Sequence, residues 1–136
     1  MKLKRALEKI SSRFTYKEDT FKSDYFDSWR VMDDSQDRLY GDCDDYAMTV
    51  LYEYYKTPWD FFLNVIVLRK AKIYQAKTMN GNKHIFASIG NKYFDNWTLD
   101  KYYTRKKFLK HTKHKIIREY YGPEILLYLI IGFFKG

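Results

Sequence analysis

The sequence predicts an α+β fold in which one central helix packs on an antiparallel β meander. Two observations carry this. From Cys43 onward the apolar positions Ala47, Val50, Leu51 and Tyr54 follow helical spacing. After Pro58 the period changes, and stretches rich in β-branched and aromatic residues alternate with dipeptides suited to tight turns. A chain of 136 residues suits a single domain with one core, over residues 1–136, and its 20% aromatic content supplies large side chains to fill it.

The elements follow in order. Residues 2–10 read as a short basic helix. The tetrad TYKE at 15–18 has the form of a capping box opening a second helix, over which Phe21, Tyr25, Trp29 and Met32 recur at near-helical spacing. DDSQDRLYG reads as a loop. The central helix starts at Cys43, whose side chain begins the buried stripe, and ends at Pro58. Strands are expected at FFLNVIVL (61–68), AKIYQAKTM (71–79), KHIFASI (83–89) and KYFDNW (92–97). Asn80-Gly81 and Gly90-Asn91 separate the last three, and both accept the positive φ of hairpin turns. A basic segment follows, then a buried terminal helix over ILLYLIIGFF, with Pro123 at its start and Gly132 interrupting its end.

Composition excludes several classes. One Cys forms no internal disulfide, and His84, His111 and His114 supply no Cys/His cluster for structural zinc. The longest apolar run is well short of the roughly 20 residues that span a bilayer. The basic N-terminus lacks the apolar run of a signal peptide, so a cytoplasmic chain is expected. The net charge of +8 is uneven: residues 15–60 hold 12 of the 17 acids. Residues 101–118 carry eight Lys/Arg and no acid, interleaved with aromatics. Such a run can track a phosphate backbone, but it is more often a solvated face, and no nucleic-acid module accompanies it.

YGDCDDYAMTV (40–50) sets the one thiol among Asp42, Asp44 and Asp45. Two readings are open. Asp42 is a good N-cap, Asp45 completes a capping box, and acids suit the first turn of a helix, so the stretch can be a well-made helix start with an inert Cys. Alternatively, a Cys at a helix N-terminus has its thiolate stabilised by backbone N–H groups, and an imidazole completes the activation. His84 is the candidate base, since His111 and His114 fall in the lysine run. A two-residue turn at Gly90-Asn91 sets Trp97 opposite His84 and makes His84 and Asp95 diagonal neighbours, with backbones about 7–8 Å apart. Sliding the turn back by one residue sets His84 directly opposite Asp95. Asp95 is therefore the candidate orienting acid.

The residues W…GDCDDYA (Trp29 and 41–47), HIFASIG (84–90) and YFDNW (93–97) resemble the bacterial transglutaminase-like cysteine peptidases, a family that includes periplasmic adhesin-cleaving proteases. The likeness covers residues 29–97. Asp44 stands where the family has Glu, and HIF replaces HAV. The resemblance implies a papain-like or transglutaminase-like fold, with Cys43 as nucleophile, His84 as general base and Asp95 as orienting acid of a thiol hydrolase acting on a protein or peptide. It also implies calcium held by Asp42, Asp44 and Asp45, which would cancel negative charge beside the thiolate. No other cofactor is required. Gln36 and Tyr40 are candidate second donors to an oxyanion beside the Cys43 amide, while Trp29 is expected in the core. A small member without a leader, rich in Lys, Tyr, Asn and Ile, suits a phage or mobile-element gene. Amine acyl transfer would use the same triad, and a non-catalytic binding module would use the basic 101–118 face.

Overall fold

In α1 (Lys2–Ser11), Leu3, Ala6, Leu7 and Ile10 form one buried stripe against the central helix α2 (Cys43–Tyr55), while the Lys and Arg side chains face out. The computed structural model to which these elements belong describes residues 2–16, 29, 31–32, 38–98 and 100–135. Residues 14–16 depart from expectation. They form β1 (Phe14–Tyr16), paired in parallel with β2 (Leu39–Gly41), so Thr15 lies in a ladder opposite Tyr40 and not at a helix start. The reason is long-range: the Leu39 N–H is donated to the Arg13 carbonyl, which locks the register. Lys17, Glu18 and most of the helix expected over residues 21–32 lie outside the described residues. Trp29 and Met32 are irregular chain, tied by the Trp29 N–H to the Tyr128 carbonyl and by the Met32 N–H to Thr49 Oγ1.

The central helix starts at Cys43 as expected. Its burial is wider than a stripe, since every residue from Cys43 to Leu51 is buried, with α1 packed against it on one part and the sheet on another. Lys56 ends it in the left-handed conformation (φ 69°). Thr57 then caps a new helix, with Pro58 in its first turn and the Asp60 N–H donated to Thr57 Oγ1. This start signal overrides the strand predicted at 61–68. α3 (Pro58–Phe61) runs into a π-helical turn at Phe62–Val67, closed by the Leu68 N–H on the Leu63 carbonyl. FFLNVIVL is thus helical, with Phe61 and Val65 buried.

The remaining strands form an antiparallel sheet of order β5-β4-β3-β6, from β3 (Ala71–Lys77), β4 (Lys83–Ile89), β5 (Lys92–Phe94) and β6 (Lys115–Glu119). The β4–β5 register is that of the two-residue turn: Ile89 faces Lys92 and Ala87 faces Phe94, with Gly90 at φ 60°. The preceding hairpin turns over Thr78–Asn82 with Gly81 at φ 82°. Strand β6 is unexpected. The basic segment folds as α4 (Arg105–Thr112), capped by Thr104, and then returns along the outer edge of β3. Its cations are partly committed. Arg105 lies over Tyr74 and Tyr93, and Arg118 makes a two-pronged bond to Glu124 at 2.8 Å for each contact.

α5 (Gly122–Lys135) is helical as expected but is not buried throughout: Ile125 is in the core, while Leu127, Ile130 and Phe133 are exposed. Gly132 does not interrupt it. A Cβ there would run into the Trp29 carbonyl, so the glycine marks the point where helix backbone and Trp29 backbone touch. Trp29 packs its ring edge-on to Tyr120, at 4.9 Å between centroids, as a core residue. Among the described residues, no helix is long and apolar enough to cross a membrane.

Candidate active site

Cys43 occupies the first position of α2, where the free N–H groups of the helix start favour negative charge. The main chain supplies a further donor. β5 stops at Phe94, opposite Ala87, and two residues earlier on β4 the Ile85 N–H is donated to Cys43 Sγ at 3.3 Å. A hydrogen bond received by sulfur favours the thiolate over the thiol. The sulfur therefore rests against the backbone immediately after His84. Cys43 keeps 9% exposure against 4% for His84 and 1% for Asp95, so the site is more open at its thiol end than at its acid.

His84 and Asp95 meet as the register predicts, with Nε2 of the ring 2.7 Å from Asp95 Oδ2. Asp95 sits just beyond β5, in a turn that its own side chain builds: Oδ1 accepts the N–H groups of Trp97 and Thr98, both at 2.9 Å. The Asp95 N–H is in turn donated to Thr98 Oγ1. Burial alone would raise the carboxyl's pKa, but the hydrogen bonds from His114 and His84 and the charge of His84 outweigh it and hold the group down at about 2. An ionised carboxylate only accepts. Each ring facing it must therefore carry its proton on Nε2, which leaves Nδ1 of neutral His84 as the basic nitrogen.

The second ring is His114, from the lysine-rich stretch 101–118. It follows Lys113, whose left-handed backbone (φ 61°) ends α4, and it stands one residue before β6. Its Nε2 lies 2.8 Å from the same Asp95 Oδ2, and its ring centroid is 4.5 Å from that of His84. A signal for it was present: HKII reads as the start of a strand, and a strand at that place must pair with the meander. Trp97 packs against both imidazoles, tilted to His84 at 5.5 Å and edge-on to His114 at 4.7 Å between centroids.

The aspartates around Cys43 form the predicted capping box. Asp42 Oδ1 accepts the Asp45 N–H and Asp45 Oδ2 accepts the Asp42 N–H, both at 3.4 Å, while Asp44 Oδ1 accepts the Asp45 N–H at 2.8 Å. Gly41 makes room for this, since a Cβ there would stand 2.8 Å from Asp45 Cβ. Asp42, Asp44 and Asp45 are all buried and each offers an oxygen within 4.8 Å of the others. An oxygen-only donor set of this kind fits a hard cation such as calcium. Of the oxyanion candidates, Tyr40 lies in β2, and Gln36 lies outside the described residues. The chain matches no family model and no curated protein.

Proposed function

We propose that the protein is a thiol hydrolase of the papain-like, transglutaminase-like kind, cleaving a peptide or isopeptide bond through a thioester at Cys43. The observation that supports this best is the His84–Asp95 hydrogen bond of 2.7 Å beside a sulfur that accepts the next residue's N–H at a helix start. The resemblance of GDCDDYA, HIFASIG and YFDNW to the transglutaminase-like cysteine peptidases points the same way.

The chemistry follows from the proton positions. His84 Nδ1 takes the Cys43 proton, and the imidazolium is held by Asp95 through Nε2–H. The thiolate attacks the carbonyl carbon, and the oxyanion is met by N–H groups at the start of α2, with Tyr40 and Gln36 as candidate further donors. The intermediate collapses as His84 protonates the leaving amine, giving an acyl-Cys43 thioester. Water then gives a proton to His84 and attacks the thioester, releasing the acid and restoring the thiol. An amine in place of water makes the same sequence an acyl transfer. Calcium, when bound, would be held by Asp42, Asp44 and Asp45 and would cancel negative charge near the thiolate.

Alkylation of Cys43 by iodoacetamide tests the reading. The thiol should react rapidly, and His84→Ala should slow it by roughly a hundredfold at neutral pH. Equal, slow rates in both proteins would reject the activated thiol. Product analysis with and without an added amine separates hydrolysis from acyl transfer. For calcium, the melting temperature should rise on addition of the ion and cease to do so in Asp44→Ala/Asp45→Ala. An unchanged melting temperature in the parent protein rejects the cation.

A further inference from the structure

We infer that His114 is a positioning residue of this site, holding the Asp95 carboxylate in the orientation that fixes the His84 ring. The link from His114 to Asp95 stands on geometry alone, and the link onward to Cys43 rests on the thiol hydrolase reading.

The geometry begins with Asp95 Oδ2, which receives two imidazole nitrogens, His84 Nε2 at 2.7 Å and His114 Nε2 at 2.8 Å. The other oxygen is fixed by the N–H groups of Trp97 and Thr98. With donors from β4, from the turn after β5 and from the chain entering β6, the carboxylate can neither rotate nor withdraw. His114 is itself locked. Its ring is fully buried, packed against Phe86, Phe108 and Trp97, and its N–H is donated back to Thr112 Oγ1.

Two imidazoles and a carboxylate with ligand atoms within 4.8 Å of one another could also hold a metal ion, and the present distances fit the hydrogen-bonded use. Ligands around a tetrahedral zinc, at bonds near 2.0–2.1 Å, lie about 3.3 Å apart. The two separations seen here are hydrogen-bond lengths instead. The tautomer argues the same way. A metal on Nε2 would move the His114 proton to Nδ1, and that atom is buried with no hydrogen-bond partner among the described residues. Metal-bound histidines almost always donate the other ring N–H to an acceptor. With the proton on Nε2, only a lone pair is left unmet at Nδ1.

Nitrogen-15 NMR of the wild-type chain reads the tautomers without any variant. Both His84 and His114 should be protonated at Nε2; His114 protonated only at Nδ1 overturns the inference. Two variants give the functional reading. His114→Phe keeps the ring volume and removes the donor, while His114→Gln sets an amide N–H where Nε2 stood. Among the described residues, the titratable side chains whose fields or bonds reach Asp95 are His84 on β4, Tyr46 on α2, and His114, and the variants alter only one of them. Carbon-13 NMR of the Asp95 carboxyl should show its titration midpoint moving up by about one pH unit in His114→Phe and staying near the wild-type value in His114→Gln. Alkylation of Cys43 should fall about tenfold in His114→Phe and recover to within about threefold in His114→Gln. A residue that merely fills space would leave both readouts unmoved in His114→Phe, and that result overturns the inference. So does binding of one equivalent of zinc that is lost in His114→Phe. If His84→Ala alkylates as fast as wild type, the hydrolase reading fails, and the carboxyl midpoint still decides the role of His114. Should His114→Phe not fold, His114→Asn, whose amide falls short of Oδ2, replaces it in the same comparison with His114→Gln.

Discussion

Among the described residues the molecule buries two trios of acidic and imidazole side chains, and they are stabilised in opposite ways. Asp42, Asp44 and Asp45 are neighbours in sequence, all of one sign, and their carboxylates accept main-chain N–H groups of a helix start. His84, Asp95 and His114 come from separate elements and balance one acceptor against two donors. The first trio is a local solution to the unpaired N–H groups of a helix start. The second exists only when β4, the turn after β5 and the entry to β6 are assembled together. Removing a carboxylate should therefore cost little in the first and much in the second.

The largest effect is expected at Asp95. Asp95→Ala leaves two imidazole nitrogens and the N–H groups of Trp97 and Thr98 without their acceptor, and should cost about 3–5 kcal/mol in urea unfolding. Asp95→Asn is milder in stability and as severe in reactivity. Its side chain has one oxygen for two sets of donors. If that oxygen keeps the backbone N–H groups, the amide NH2 faces the rings and drives the His84 proton to Nδ1, the nitrogen that must be free to act as base. Alkylation of Cys43 should then fall roughly a hundredfold or more. A rate close to wild type in Asp95→Asn would show that Asp95 does not set the tautomer.

A smaller effect is read by pH. The Asp95 carboxyl has its pKa lowered from 3.8 to about 2, so the folded state releases the proton more readily than the unfolded chain. The resulting stabilisation, about 2 kcal/mol, is complete above the unfolded value near 4 and is lost as pH falls through about 2. Urea unfolding across this window should show that loss in the wild type, and Asp95→Asn should lack this part of the acid slope. Equal slopes in the two proteins would mean that the carboxylate is not held in its charged form.

What was legible in the sequence divides along the same line. The helix start at Cys43 could be read because its cap, its acids and its first apolar residue lie within a few positions of one another. The His84–Asp95 pair could be read because a two-residue turn at Gly90-Asn91 fixes which residues share a face. For His114 the stretch HKII signals a strand but not its place, which depends on β6 returning to the edge of β3 through a register that shifts between Gln75 and Ala76. Likewise FFLNVIVL has strand composition, and only Thr57-Pro58 ahead of it announces a helix. Thr15 has the local signature of a helix cap, yet it joins a strand whose partner lies far away at Leu39–Gly41. In each case the deciding contact was long-range or was a capping signal that composition masks.

The smallest expected effect tests whether the acidic trio needs its charge. Asn caps a helix about as well as Asp, whereas Ala cannot accept a hydrogen bond. Asp42→Ala should cost about 1 kcal/mol in urea unfolding, the ordinary value of a lost N-cap. In Asp42→Asn the amide oxygen can still accept the Asp45 N–H, and one negative charge leaves a crowded group of carboxylates, so the change should fall within about 0.5 kcal/mol of zero. Asp95→Asn, by contrast, has no orientation that satisfies both of its donor sets with the rings in their present tautomer. If Asp42→Asn proved as costly as Asp42→Ala, the charge at Asp42 would matter beyond the cap, and the measurement should be repeated with calcium present. A cost that appears only with calcium would identify Asp42 as a ligand, while the same cost without it would assign the charge to the helix start alone.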